Sequence, residues 1–319
     1  MAANVFVAGA GGFIGGHLVN QLALRGHPII ATDIKPINEW LQISQNATNV
    51  CADLASLEKC YELTQNVDVI YHLAADVGGI GYISSRNWHC TLASQITQNL
   101  LSAALYFRTK VFFYASSACI YPVHLQGANR HIPLAEEMAV PANPEGGYGW
   151  EKLYSEHLCS YAEQMGLQVR IARLFNVYGP FCDYTAKRAK APAALCYKVA
   201  RAAKDQSHAV EVWGDGSQLR SFLYIDDCLQ AIDLLMESGY TQPVNIASDE
   251  MVTIAELTDM IAEIAGCEVN QRFMPCMPTG VNARIPSLQI AHRNLNWKHT
   301  TPLRQGLRAT LDWINADDE

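Results

Sequence analysis

Short, nearly continuous apolar runs recur through the first half of the chain, at 4–8, 28–33, 49–52, 67–73, 111–115 and 168–173. A strand with one wet face would alternate apolar and polar residues. Runs this short and this uniformly apolar fit strands of a parallel sheet covered on both faces. Between them, longer stretches carry helical spacing and predict a helix after the glycine turn at 9–15 and running through Leu24, and helices over 85–108 and over 147–165. Alternation of β and α over about 175 residues predicts the α/β class, as a Rossmann-type doubly wound parallel sheet.

The texture changes after Asn176-Val177-Tyr178-Gly179-Pro180. A loop over 181–192, rich in Lys, Arg and Pro, leads into a predicted helix over 192–204 and a strand over 210–213. Residues 221–237 read as a strand and helix returning to the first lobe, and the chain from Val244 onward reads as a smaller lobe. The predicted division is a larger lobe of residues 1–175 plus about 221–240, interleaved with a smaller lobe of about 176–220 plus 241–319.

Composition narrows the function. The chain has 319 residues, half of them hydrophobic, with a net charge of −8. A large core is therefore available, and a general nucleic-acid binder, which needs a basic face, is excluded. An anionic ligand can still be held by local cations and backbone N–H groups. No apolar run reaches the ~18 residues of a membrane span. The ten cysteines are scattered without a Cys-x-x-Cys pair. With a chain that opens directly on a strand, this leads us to expect reduced thiols, no targeting segment and a cytoplasmic protein. No metal site is expected.

Candidate chemistry begins at the first turn. Gly9, Gly12 and Gly15 follow a strand and open a helix, with Phe13 and Ile14 between the last two. In such a fingerprint the glycines permit a tight turn, close approach to a pyrophosphate, and close packing of helix on sheet. Asp33 ends the second strand, where an acid can bond both ribose hydroxyls and repel a 2′-phosphate, so NAD is expected over NADP. Lys35 nearby works against that preference. Asp53 after the third strand can accept from an adenine amino group or cap a helix. Leu73, Ala74 and Ala75 place small residues against the cofactor.

A hydride site follows. Tyr148 and Lys152, spaced i, i+4, project from one helix face. A nearby ammonium is expected to lower the tyrosine pKa, so that Tyr148 can take a proton from a sugar hydroxyl while Ser117 bonds the same oxygen. Cys119, in Ser116-Ser117-Ala118-Cys119-Ile120-Tyr121-Pro122, and Lys190, in Lys190-Ala191-Pro192, add a thiol and an amine. Each can titrate near neutrality in a suitable environment, with Lys187 and Arg188 placed to depress Lys190.

With these motifs the chain resembles the extended short-chain dehydrogenase/reductase family, and within it the GDP-mannose 3,5-epimerases. The resemblance runs through 74–81, 116–122, 148–152, 176–180, 190–194, 213–222 and 248–252, with Gly78-Gly79 and the Lys190 segment the most distinctive. It implies oxidation of a GDP-hexose at C4 by NAD, proton exchange at C3 or C5 by Cys119 and Lys190, and return of hydride to C4. It also implies Gly78, Gly79, Ser117, Asn176, Lys190, Lys198, Gln218, Arg220 and Arg284 as substrate contacts, the arginines on pyrophosphate. A homodimer built on 85–108 and 147–165 is implied as well. The segment 281–287 keeps Arg284 but lacks the family's Arg-Asn-Ser-Asp pattern, and Leu174-Phe175 stands where an aromatic and a histidine are expected. Other readings are a GDP-fucose-synthase-like epimerase-reductase, a C4 epimerase or oxidase with Cys119 and Lys190 as bystanders, and a 4,6-dehydratase. The first would want NADP and a histidine at 190; the last would want Asp-Glu at 118–119. A non-catalytic NAD-binding regulator would have lost Tyr148 or Lys152.

Overall fold

The computed structural model describes residues 2–127, 132–185, 188–205 and 208–318. Seven strands form one sheet in the order Val244–Ile246, Gln168–Leu174, Val111–Ser117, Val69–His72, Val5–Ala8, Ile29–Asp33, Thr48–Cys51. Every neighbouring pair is parallel. The order reverses between Val5–Ala8 and Val69–His72, which opens a crevice beyond their carboxyl ends.

Both sheet faces are covered, as the apolar runs predict. One core packs Leu18, Val19, Leu22, Leu229 and Ile232 from helices Phe13–Leu24 and Ile225–Glu237 against the strands. The opposite face packs Leu100, Ala104, Cys159 and Ala162 from helices Ala93–Phe107 and Gly146–Gln164 on Phe6, Phe112 and Tyr114. A separate core joins helices Ala191–Lys204, Ile254–Ala265 and Leu303–Asp317 around Val199, Leu257 and Leu307. Among the described residues, no helix is long and apolar enough to cross a membrane.

Two expectations are corrected. The segment from residue 241, expected in the smaller lobe, starts with the strand Val244–Ile246 on the edge of the large sheet, and Ala291, Leu295 and Trp297 join the first core. A three-residue strand is too short to reveal by pattern which sheet it extends. The expected helix over 85–108 is two helices, Asn87–Thr91 and Ala93–Phe107, following a separate helix Ile80–Ser85. Arg86 leaves helical geometry at φ −127°, ψ 32°, and its guanidinium reaches Asp76 at 3.3 Å. Helix-compatible spacing on both sides hides that tertiary contact.

Helix Gly146–Gln164 is pinned to the sheet by a buried ion pair. Arg173 Nη2 lies 2.8 Å from Glu156 Oε2, and Ser116 also donates to Glu156. Arg173 Nη1 donates to the Glu136 carbonyl at 2.6 Å and the Tyr121 hydroxyl at 3.1 Å. A buried carboxylate left without such partners would be strongly destabilising. These contacts fix the helix carrying Tyr148 against the strand ending in Ser117.

Candidate active site

At the crevice the glycine turn is held by contacts only glycine permits. Gly9 has φ +85°, and a Cβ there would lie 2.7 Å from the Ala74 nitrogen and 2.8 Å from the Leu73 carbonyl carbon. A Cβ on Gly15 would collide with the Gly9 carbonyl oxygen. Gly12 caps helix Phe13–Leu24 with no side-chain hydrogen bond, so the free N–H groups of the first turn face the crevice. Phe13, Ile14 and Leu73 pack on the first core, Ala74 on the core across the sheet, and Ala75 beside Tyr148. Asp33 ends its strand at the same edge and accepts from the Lys35 amide at 3.1 Å. The Lys35 ammonium instead donates to the Gly11 carbonyl at 2.6 Å, so the cation expected to counter Asp33 holds the turn. This cradle, with a carboxylate at its far end, fits a dinucleotide carrying free ribose hydroxyls. Asp53 caps no helix: it accepts from the Ala55 amide at 2.9 Å, while Ser56 caps Leu57–Thr64.

Beyond the crevice a cavity of about 1000 Å³ lies between the large sheet and the smaller lobe. Ser117, Cys119 and Tyr148 line it together with Gly78, Gly79, Asn176, Lys190, Lys198, Gln218, Arg220 and Arg284. Residues separated by up to two-thirds of the chain thus share one wall. The strand Val111–Ser117 delivers Ser117 at its end, and a short 3-10 turn, Ala118–Ile120, carries Cys119, whose amide donates to Ser117 Oγ at 3.2 Å. The two glycines work by packing. Gly79 donates its amide to the Arg188 carbonyl at 2.9 Å, and a Cβ on Gly79 would meet the Ala189 carbonyl oxygen. They let the loop carrying Lys190 close onto helix Ile80–Ser85.

The electrostatics differ from expectation at Tyr148. Burial pushes its hydroxyl well above the usual tyrosine value, Cys119 pushes further, and a hydrogen bond with Ser117 opposes them. The Lys152 ammonium sits 5.8 Å from the Tyr148 ring centroid, yet 4.7 Å from that of Tyr114 and 3.7 Å from the Glu151 carboxylate. Glu151, itself buried, answers the charge that was expected to act on Tyr148. Lys190 lines the cavity and is exposed to solvent there. Desolvation by the protein packed around the cavity still lowers its pKa below the ordinary lysine value, with the Cys119, Cys228 and Cys182 thiols opposing. Among the described residues no neighbouring cation contributes: Arg188 turns to Asp76 at 2.9 Å and lies over the Tyr82 ring, and the other cation expected to act, Lys187, lies outside the described residues.

The arginines also differ. Arg220, expected on pyrophosphate, donates to the carbonyls of Leu219, Asn282, Thr279 and Val281. Burial lowers its pKa to about 10, and Arg284 adds to the shift. Arg284 pairs with Glu145 at 2.7 Å. Lys198 Nζ donates to the Glu211 carbonyl at 2.8 Å, Gln218 Nε2 to Asp215 Oδ1 at 2.8 Å, and Asn176 Nδ2 to the Ser221 carbonyl at 3.0 Å. Sequence reasoning missed Glu145 and Gln126. Each meets Arg284 across more than 130 residues, 139 and 158 respectively, and no local pattern marks such a pairing.

The NAD dependent epimerase/dehydratase family matches residues 5–247. A GDP-mannose 3,5-epimerase 1 from Oryza sativa subsp. indica is 39% identical over 319 residues, covering 99% of this chain and 82% of the relative. The GDP-mannose 3,5-epimerase of Arabidopsis thaliana is 38% identical over 320 residues, covering 99% and 83%. Among solved structures, a UDP-glucose 4-epimerase from Thermotoga maritima shares the fold at TM-score 0.88 and 24% identity, covering 99% of this chain and 100% of that one. MoeE5 in complex with UDP-glucuronic acid and NAD matches at TM-score 0.82 and 26% identity, covering 98% and 99%.

Proposed function

The chain belongs to the NAD dependent epimerase/dehydratase family, and from that premise we propose that it acts on GDP-mannose, inverting C3, C5 or both. It is an NAD-dependent nucleotide-sugar epimerase; the sugar, the base and the carbons inverted are our reading. The observation that carries this reading is the pairing of Cys119 and Lys190 in one cavity with Ser117 and Tyr148.

The residues divide the work as follows. Gly9, Gly12 and Gly15 would hold the pyrophosphate of NAD, and Asp33 its ribose. NAD, when bound, supplies acceptance and return of one hydride at C4. Ser117 and Tyr148 orient the C4 hydroxyl, and Tyr148 takes its proton as the C4–H bond breaks. Only the phenolate can take that proton, and burial makes this form costly, so Tyr148 must lose its own proton to solvent before the hydride step; the Lys152 ammonium and the cationic nicotinamide of bound NAD would supply the offsetting positive charge. The resulting ketone acidifies the hydrogens on C3 and C5. Cys119 and Lys190 then exchange a carbon-bound proton, one removing it and the other returning a proton to the opposite face. Tyr148 gives its proton back as the ketone is reduced, so the sum is an isomerisation. The Ala118-Cys119 pair, in place of two acids, argues against a dehydratase.

We further propose a homodimer, supported by the exposed Tyr106, Tyr154 and Tyr161 on helices Ala93–Phe107 and Gly146–Gln164. A cytoplasmic site is our reading of the cysteine pattern. Proton NMR of the protein with GDP-mannose and NAD in heavy water tests the reaction, with Cys119→Ser and Lys190→Ala alongside. Deuterium at C3 or C5 in the wild type and in neither variant is the expected result. Normal exchange in both variants would remove the proposed pair. Reduced NAD accumulating without exchange would make the protein a C4 oxidase.

A further inference from the structure

Arg284 is held by side chains from separate parts of the chain. Its Nε donates to Gln126 Oε1 at 2.7 Å, its Nη2 to Glu145 Oε2 at 2.7 Å, and its Nη1 to Cys119 Sγ at 3.3 Å. The anchors are themselves fixed. Gln126 is 1% exposed, and its Nε2 donates to the Tyr121 and Pro122 carbonyls at 3.0 and 3.3 Å. Carbonyls only accept and guanidinium only donates, so the amide has a single consistent orientation. The Glu145 amide donates to the Cys119 carbonyl at 3.1 Å, tying the carboxylate to the backbone that bears the sulfur. A guanidinium pulled from this cradle would leave Glu145 half-buried and unpaired.

A thiol sulfur is a weak acceptor and a thiolate a strong one, so a cationic donor at the sulfur favours the thiolate. We propose that Arg284 is a positioning residue that holds Cys119 Sγ at the cavity wall and presents a cationic donor to it. The inference rests on the proposed epimerase reading for what the sulfur does with protons. The groups facing Cys119 are Tyr148 from the catalytic helix, Lys190 at the start of helix Ala191–Lys204, Arg220 from strand Leu219–Ser221, and Arg284. Glu145 stands behind Arg284. Burial lowers the Arg284 pKa, but Cys119 and Glu145 more than offset this and leave it above the ordinary arginine value.

Alkylation reads the sulfur directly and needs no sugar substrate. The full-length protein is treated with iodoacetamide across pH, and each cysteine is followed by peptide mass spectrometry. Exposed Cys51 and Cys276 serve as internal references. Arg284→Gln should slow Cys119 alkylation at pH 7 roughly tenfold and leave the references unchanged. An unchanged Cys119 rate in a folded Arg284→Gln protein overturns the proposal. Absence of deuterium exchange with GDP-mannose, against a selective Cys119 effect, would remove the epimerase reading and leave the Arg284–Cys119 coupling standing.

Discussion

Cys119 and Lys190 face one cavity from different elements, and their surroundings differ. Cys119 stands among cations; Lys190 is an amine whose desolvation disfavours its own charge. The sign for Lys190 follows from that cause. Desolvation penalises the ammonium, so the neutral amine becomes available at lower pH than for an ordinary lysine and disappears as pH falls through the lowered value. If Lys190 removes the carbon-bound proton, the acid limb of deuterium exchange lies below the ordinary lysine range. Lys190→Arg separates charge from proton transfer, because a guanidinium keeps its proton. We expect it to cut C3/C5 exchange by at least about 100-fold, while reduced NAD still forms at 340 nm on adding substrate. Exchange retained by that variant would exclude Lys190 as a proton carrier. At this scale much of the site was legible: Ser117, Cys119, Tyr148, Lys152 and Lys190 stand in spellable motifs. The partners that set their charge were not. Glu151, Glu145 and Gln126 act through contacts visible only in three dimensions, and Glu151 reverses the simple expectation for Lys152 and Tyr148.

Among the elements, helices Phe13–Leu24 and Gly146–Gln164 place the chemistry. The first approaches the sheet as closely as Gly15 allows. In Gly15→Ala the new Cβ would overlap the Gly9 carbonyl, backbone that cannot yield without moving the turn. We expect at least about tenfold weaker NAD binding by titration calorimetry, with unfolding still cooperative; wild-type affinity would show that the turn does not hold the cofactor. The second helix depends on Glu156 and Arg173 for its seat, and neither residue looks different in sequence from a solvated charge. Strand and helix positions were legible because burial on both faces leaves a strong apolar signal. The break at Arg86 was not, because the contact its side chain makes there is with an aspartate ten residues earlier.

At the scale of the molecule, a sheet and a smaller lobe enclose one cavity, and the chain passes between them more often than its pattern announces. The proposed homodimer belongs to this scale. Tyr106 is 69% and Tyr161 61% exposed, a large aromatic area for a surface helix facing only water. We expect Tyr106→Glu with Tyr161→Glu to shift the protein from dimer to monomer in sedimentation velocity, with each fold intact. A wild-type monomer at micromolar concentration would refute the dimer. The sequence by itself determined the parallel sheet, the glycine turn and the motifs that carry the side chains proposed to react, because each depends on local spacing: strand hydrophobicity, glycines a few residues apart, Tyr and Lys one helical turn apart. Tertiary structure alone decided that Val244–Ile246 completes the large sheet, that Gly78 and Gly79 seat the Lys190 loop, and that Arg284 turns to a thiol and a carboxylate. Those outcomes depend on groups far apart in the chain, and the burial and charge they create exist only once the chain has closed around them.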